Sequence, residues 1–270
     1  MANPLSPANI RIALGVAIAA VAVGLVVFSH LRSQSPPSAA PIATSSAGAA
    51  LPPAAAPEPS REPAAIPPYA GAPVHALAAD PAVLGQVPAE TYERSRAELA
   101  GLAVTLAAKP QDFDGWMRVA FIKRFYRDYA GAADAYAYAA EVDLGQPLPH
   151  YNLGGLYGYY LKDPVRARRS YAAALALDPK NVSYAIGLAD FYREVMGDLA
   201  AAERVLLEIE RLVPGDTNMH LALANFYVLR GDAASAIPHY ESALASGDLS
   251  SAHRQAVADT LERVRNGPQP

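Results

Sequence analysis

The sequence predicts an all-α fold, a helical solenoid of about four helix–turn–helix repeats with a capping helix at each end and an N-terminal transmembrane helix. Three observations predict it. The small residues Ala120, Gly154, Ala189 and Ala224 recur at intervals of 34, 35 and 35 residues. Ala132, Ala167, Ala202 and Ala236 recur at 35, 35 and 34, and Asp128, Asp163, Asp198 and Asp232 keep step with them. Ahead of this array, Ile12 to Phe28 is an unbroken apolar run between Arg11 and Arg32. Periods of this length mark stacked repeats, each unit burying its apolar face against its neighbours.

Composition agrees with helices. Alanine carries much of the apolar content, and alanine has the highest helix propensity while letting backbones approach closely. A net charge of −4 gives no electrostatic reason to expect nucleic acid. The absence of cysteine excludes disulfides, a redox Cys pair, thiolate zinc sites and covalent haem attachment.

In chain order, residues 1–11 form a short tail and residues 12–31 the expected membrane span. A helix crossing the bilayer needs about 17–25 apolar residues, whereas the apolar core of a cleaved signal is about 7–15. The run from Ile12 to Leu31 fits the first range, so it reads as a single-pass signal anchor. The alternative is cleavage near Ala20 or Ala22. The expected location is the inner membrane, with everything after Arg32 on its outer face. Residues 32–87 are rich in Pro, Ala and Ser, a composition that recovers little of the cost of ordering, and they read as a disordered tether.

Residues 88–266 then read as the folded array. Residues 89–108 carry Tyr92, Leu99, Leu102 and Leu106 at helical spacing and stop before Pro110, as a helix covering the first repeat would. Repeats follow at 113–146, 147–181, 182–216 and 217–250. In each, a large residue beside a small one lets two antiparallel helices interlock. The recurring aspartates precede the second helices, where a carboxylate accepts from free backbone N–H groups. Pro179 and Pro214 follow second helices as stops. The second and third repeats carry one extra residue each, around Tyr159–Leu161 and Glu194–Met196. Pro238 lies inside the last second helix and is expected to bend it, and residues 251–265 read as a C-terminal cap.

These residues resemble the tetratricopeptide repeat. The likeness is clearest in His150-Tyr151-Asn152-Leu153-Gly154…Tyr157…Ala167…Tyr171…Ala174…Pro179 and in Leu223-Ala224…Tyr227…Gly231-Asp232…Ala236…Tyr240…Ala243. Lys123 departs from the pattern by standing where the first repeat should show tyrosine, as does Asp248 by standing where the last should show proline. The resemblance implies a right-handed solenoid whose first helices line a concave groove. It places Met117, Tyr151, Ile186 and Leu221, then Phe121, Gly155, Asp190 and Asn225, then Arg124, Arg193 and Val228 on that groove, with Phe125, Asn152 and Tyr159 beside them. One subgroup of the family grips a C-terminal carboxylate with lysines and asparagines. Of the corresponding positions here (Met117, Phe121, Asn152, Ser183, Gly187) only Asn152 matches, so an extended or helical apolar segment is the expected ligand.

No catalytic constellation stands out. No serine lies in Gly-x-Ser-x-Gly, and no glycine-rich phosphate loop follows a strand. His150 and His220 occupy a packing column, His239 and His253 lack ligand partners at a recognisable sequence spacing, and Glu208 and Glu210 read as a solvated helix face. The reading is therefore a non-enzymatic, membrane-tethered scaffold or client-holding module that binds a protein or peptide segment, with no cofactor or metal. Two alternatives share the repeat fold. One is an assembly factor similar to the periplasmic repeats of cytochrome c biogenesis factors, suggested by Leu102–Thr105–Leu106–Ala107–Ala108–Lys109–Pro110 leading to Trp116. The other is an accessory repeat protein of a cell-envelope enzyme complex.

Overall fold

A computed structural model describes residues 66–267. After α1 (Pro81–Leu84) and α2 (Ala89–Ala108), the helices come in consecutive pairs. These are α3 (Phe113–Phe125) with α4 (Tyr129–Val142), and α5 (Pro147–Gly155) with α6 (Pro164–Leu177). Then come α7 (Val182–Phe191) with α8 (Leu199–Leu212), α9 (Thr217–Arg230) with α10 (Ala233–Ala245), and finally α11 (Ser251–Asn266) packed on α10. Each second helix also packs on the first helix of the next pair, so neighbouring pairs stack into a helical solenoid.

The membrane part of the expectation is corrected. Among the described residues no helix is long and apolar enough to cross a membrane. Among the described residues the fold is thus an all-α solenoid with no membrane-spanning helix, and the expected single-pass anchoring and inner-membrane location find no support there. The expected span at residues 12–31 and the tether up to residue 65 lie outside the described residues. A hydropathy run reports only that a segment is apolar, and that is weaker than a helix seen at membrane length.

The turn between the helices of each pair shows why the aspartates recur. The residue before each one has left-handed backbone: Arg127 at φ 61°, Lys162 at 55°, Gly197 at 66° and Gly231 at 82°. That bend swings the following aspartate into the cap position. The carboxylates of Asp128, Asp163, Asp198 and Asp232 accept from the N–H groups of Gly131, Arg166, Ala201 and Ser235. Such bonds satisfy donors that a helix start otherwise leaves free. Those N–H donors hold the Asp163 carboxyl below the ordinary carboxylate range, and the Ser235 hydroxyl and N–H do so for Asp232.

The same turn explains the extra residues. The N–H of Asp128 donates to Lys123 O and that of Asp232 to Tyr227 O, five residues back. In the two middle pairs the N–H of Asp163 reaches Tyr157 O and that of Asp198 reaches Tyr192 O, six residues back. The added residue is absorbed by a π-helical turn that closes the first helix of each middle pair, Leu156–Tyr160 in one and Tyr192–Met196 in the other. A wider turn takes in an inserted residue without breaking the helix. The cap and the interlock below it therefore keep their register.

The core follows the small-against-large pattern. Trp116, Val119, Ala120, Ala132, Tyr136 and Ala139 are buried in the first pair, and Ala167, Tyr171, Leu188, Ala202, Leu223 and Ala236 further along. Gly154 lies so near Tyr171 that a Cβ there would come 2.7 Å from the ring. Gly154→Ala is therefore expected to cost about 1–3 kcal/mol through overpacking. A urea-unfolding midpoint equal to that of the parent protein would contradict this contact.

The structure also corrects the extent of the tether. Residues 66–87 pack on the first pair, with Ile66, Tyr69, Val74, Leu77, Val83 and Leu84 against its core. Tyr69 lies 4.5 Å from Trp116 and 5.3 Å from Tyr138 between ring centroids. The Tyr138 hydroxyl donates to Pro67 O at 2.9 Å, the Ala72 N–H to Asp134 at 2.9 Å, and the Asp80 N–H to Tyr126 O at 2.9 Å. Lys123 is the centre of this arrangement. It is fully buried, and its ammonium donates to Pro73 O and Ala76 O and pairs with Asp128 at 3.3 Å. A lysine replaces the repeat's usual tyrosine because the carbonyls of this strap need a buried donor.

Candidate partner-binding site

The expected groove residues fall into three groups. Phe121 and Phe125 on α3 are 55% and 42% exposed, large apolar surfaces left open to solvent. The Arg118 guanidinium lies 5.7 Å from the Phe121 ring centre and is held by Glu98 of α2, whose carboxylate accepts at 2.5 and 2.8 Å.

A second group forms a connected polar and aromatic surface across three pairs. Arg124 of α3 donates to Asn152 Oδ1 of α5 at 3.2 Å, and the Asn152 amide donates to Leu148 O. Tyr151 stands beside Asn152, half-buried, its ring 4.9 Å from Tyr184 and 5.7 Å from Tyr171. It fits because Gly187 has no side chain, and a Cβ there would come 2.6 Å from the Tyr151 ring. On α7 and its π-turn, Arg193 donates to Asp190 at 2.6 Å and to Glu194 at 2.7 Å. Burial raises the pKa of the Tyr151 hydroxyl, and Asp190 adds to the rise. Burial and then the Glu194 charge raise that of Tyr159 well above the ordinary phenol value. Both phenols are protonated at neutral pH, as a tyrosine is even without these shifts, so each hydroxyl is a hydrogen-bond donor.

The third group is committed elsewhere. Met117, Ile186 and Leu221 are half-buried and pack on the edges of the core. Asn225 is exposed, but its Oδ1 accepts from the Tyr240 hydroxyl at 2.7 Å, which ties it to its own pair. Sequence reasoning missed Tyr184 and Glu194. The missing side chain at Gly187, one turn beyond Tyr184, was the available signal for the tyrosine cluster.

A tetratricopeptide-repeat family profile matches residues 160–226. The fold is a tetratricopeptide-repeat-like solenoid. No curated protein matches the chain in sequence. Among solved structures, MamA protein is 16% identical, covering 60% of this chain and 90% of that one, with a TM-score of 0.47. PilW, described as a widely conserved type IV pilus biogenesis factor, is 17% identical over 70% of this chain and 88% of that one, at 0.48. YrrB, described as a repeat protein with an unusual peptide-binding site, is 13% identical over 64% of this chain and 86% of that one, at 0.46. Likenesses at this level concern fold alone. Tetratricopeptide repeats are a non-catalytic scaffold architecture used in general for protein–protein interaction.

Proposed function

We propose that this protein is an interaction scaffold that holds an extended or helical apolar segment of a partner protein against the first helices of its repeats. The observation that carries this reading is the pair of exposed phenylalanines, Phe121 and Phe125, lying on the same helix as Arg124, which reaches across to Asn152. Open aromatic surface beside arginine is what partner interfaces favour. Tyr151, with a raised pKa and a neutral hydroxyl, supplies a rigid aromatic anchor, and Asp190 and Arg193 supply a charged rim.

The test is affinity capture with the full chain, followed by titration of the recovered partner. Changing Phe121 and Tyr151 together to serine is expected to weaken binding by about 2–4 kcal/mol, since aromatic anchors dominate such interfaces. Helicity by circular dichroism should change little, because Phe121 is exposed and Tyr151 half-buried. Undiminished binding by the double variant would remove the proposed face.

A further inference from the structure

Three ionisable side chains converge where the last two repeats meet, and the scaffold reading gives them no role. Glu210 comes from the last turn of α8, His220 from the first turn of α9 and His239 from the middle of α10. The two imidazole Nδ1 atoms lie 3.4 Å apart. Glu210 Oε1 is 3.3 Å from His239 Nδ1 and 3.7 Å from His220 Nδ1. The carboxylate distances exceed those of ordinary charged N–H···O hydrogen bonds, which are about 2.7–2.9 Å. The Glu210–His239 and His220–His239 spacings match another geometry, and the Glu210–His220 spacing lies just beyond it. Zinc bonds nitrogen and oxygen at about 2.0–2.2 Å, so two ligand atoms on one tetrahedral edge lie roughly 3.3–3.6 Å apart.

We infer that Glu210, His220 and His239 form a binding site for a divalent first-row transition ion of the zinc class, clamping α8, α9 and α10 together. The two imidazoles and one carboxylate would occupy three corners of a tetrahedron, leaving the fourth to water. The donor set favours such an ion over magnesium or calcium, which take oxygen ligands. The side chains are 26%, 14% and 17% exposed, enough shelter to hold their positions and enough opening for an ion to enter. Tyr227 stacks on the His239 ring at 5.7 Å and 17°, which fixes its plane, and the Tyr227 hydroxyl is itself held by Glu203 at 3.1 Å.

Sequence spacing could not show this site. Ten and nineteen residues separate Glu210, His220 and His239 along the chain, and only the packing of three helices brings them together. The expectation that Glu210 belongs to a solvated face and His239 lacks partners is corrected accordingly.

The test uses the full chain stripped with a chelator and titrated with Co²⁺, read by the visible absorption of tetrahedral cobalt, then with Zn²⁺ to displace it. One equivalent of Co²⁺ is expected to bind and to be displaced by Zn²⁺ but not by Mg²⁺. Glu210→Gln, nearly isosteric, and His239→Gln should each weaken binding at least about tenfold, since losing even a group that merely orients a metal ligand costs about 10–100-fold, whereas His150→Gln should leave it unchanged. Amide hydrogen exchange supplies a second readout, with Zn²⁺ expected to slow exchange in α9 and α10 of the parent protein only. If cobalt develops no tetrahedral spectrum, or if E210Q binds as tightly as the parent, the site is refuted.

Discussion

Replacing Lys123 with methionine is expected to destabilise the fold by about 3–5 kcal/mol, the cost of breaking a buried ion pair from one side. The side chain is 0% exposed and its partner Asp128 only 9%. Methionine fills similar volume, so the loss is electrostatic. The Asp128 carboxylate would keep its N–H donor from Gly131 but lose its cation, and the carbonyls of Pro73 and Ala76 would lose their donor. Chemical denaturation measures the loss, and limited proteolysis should find residues 73–80 newly accessible. A second change, Asp128→Asn in the same protein, should recover part of the loss, because a neutral amide can still cap α4 without a buried charge. A single variant that loses less than about 1 kcal/mol would mean that the strap is not fastened by this lysine.

Phe191→Ala should be comparably damaging, at about 3–5 kcal/mol for a large aromatic removed from a closed core. Phe191 is 0% exposed, lies 5.7 Å from Tyr171 between ring centroids, and ends α7 just before its π-turn. It rests against Gly158, inside the π-turn of the preceding pair, where a Cβ would come 2.9 Å from the Phe191 ring. The contact thus joins the two pairs that carry the inserted residues. Truncation leaves a cavity that the stiff helix ends cannot fill, and calorimetry should show a lowered melting temperature with the helix content at low temperature retained. A melting temperature near that of the parent would show that the second and third pairs are held together elsewhere.

The pairing of helices was legible in the sequence because its determinants are local and repeated. A small residue at Ala120, Gly154, Ala189 and Ala224, an aspartate before each second helix, and a large residue one turn away are read within a few turns of chain. Even the inserted residues showed as a change of period, although the π-turn that absorbs them is a matter of hydrogen bonding. The groove was legible only in part. A column of side chains can be counted along a helix, but whether a member stays open, as Phe121 does, or is engaged by its own pair, as Asn225 is, depends on the neighbouring helix.

By itself, then, the sequence determined that this chain builds repeated helix pairs with aspartate-capped second helices, since each of those features depends on residues close in the chain. Tertiary structure alone decided that residues 66–87 pack on the first pair, that Lys123 is their buried donor, and that Glu210, His220 and His239 meet. Each of these depends on residues brought together from distant positions, and no local pattern encodes that proximity. The physical reason is that periodicity reports which face of a helix is buried, while contacts between elements are set by how those faces pack.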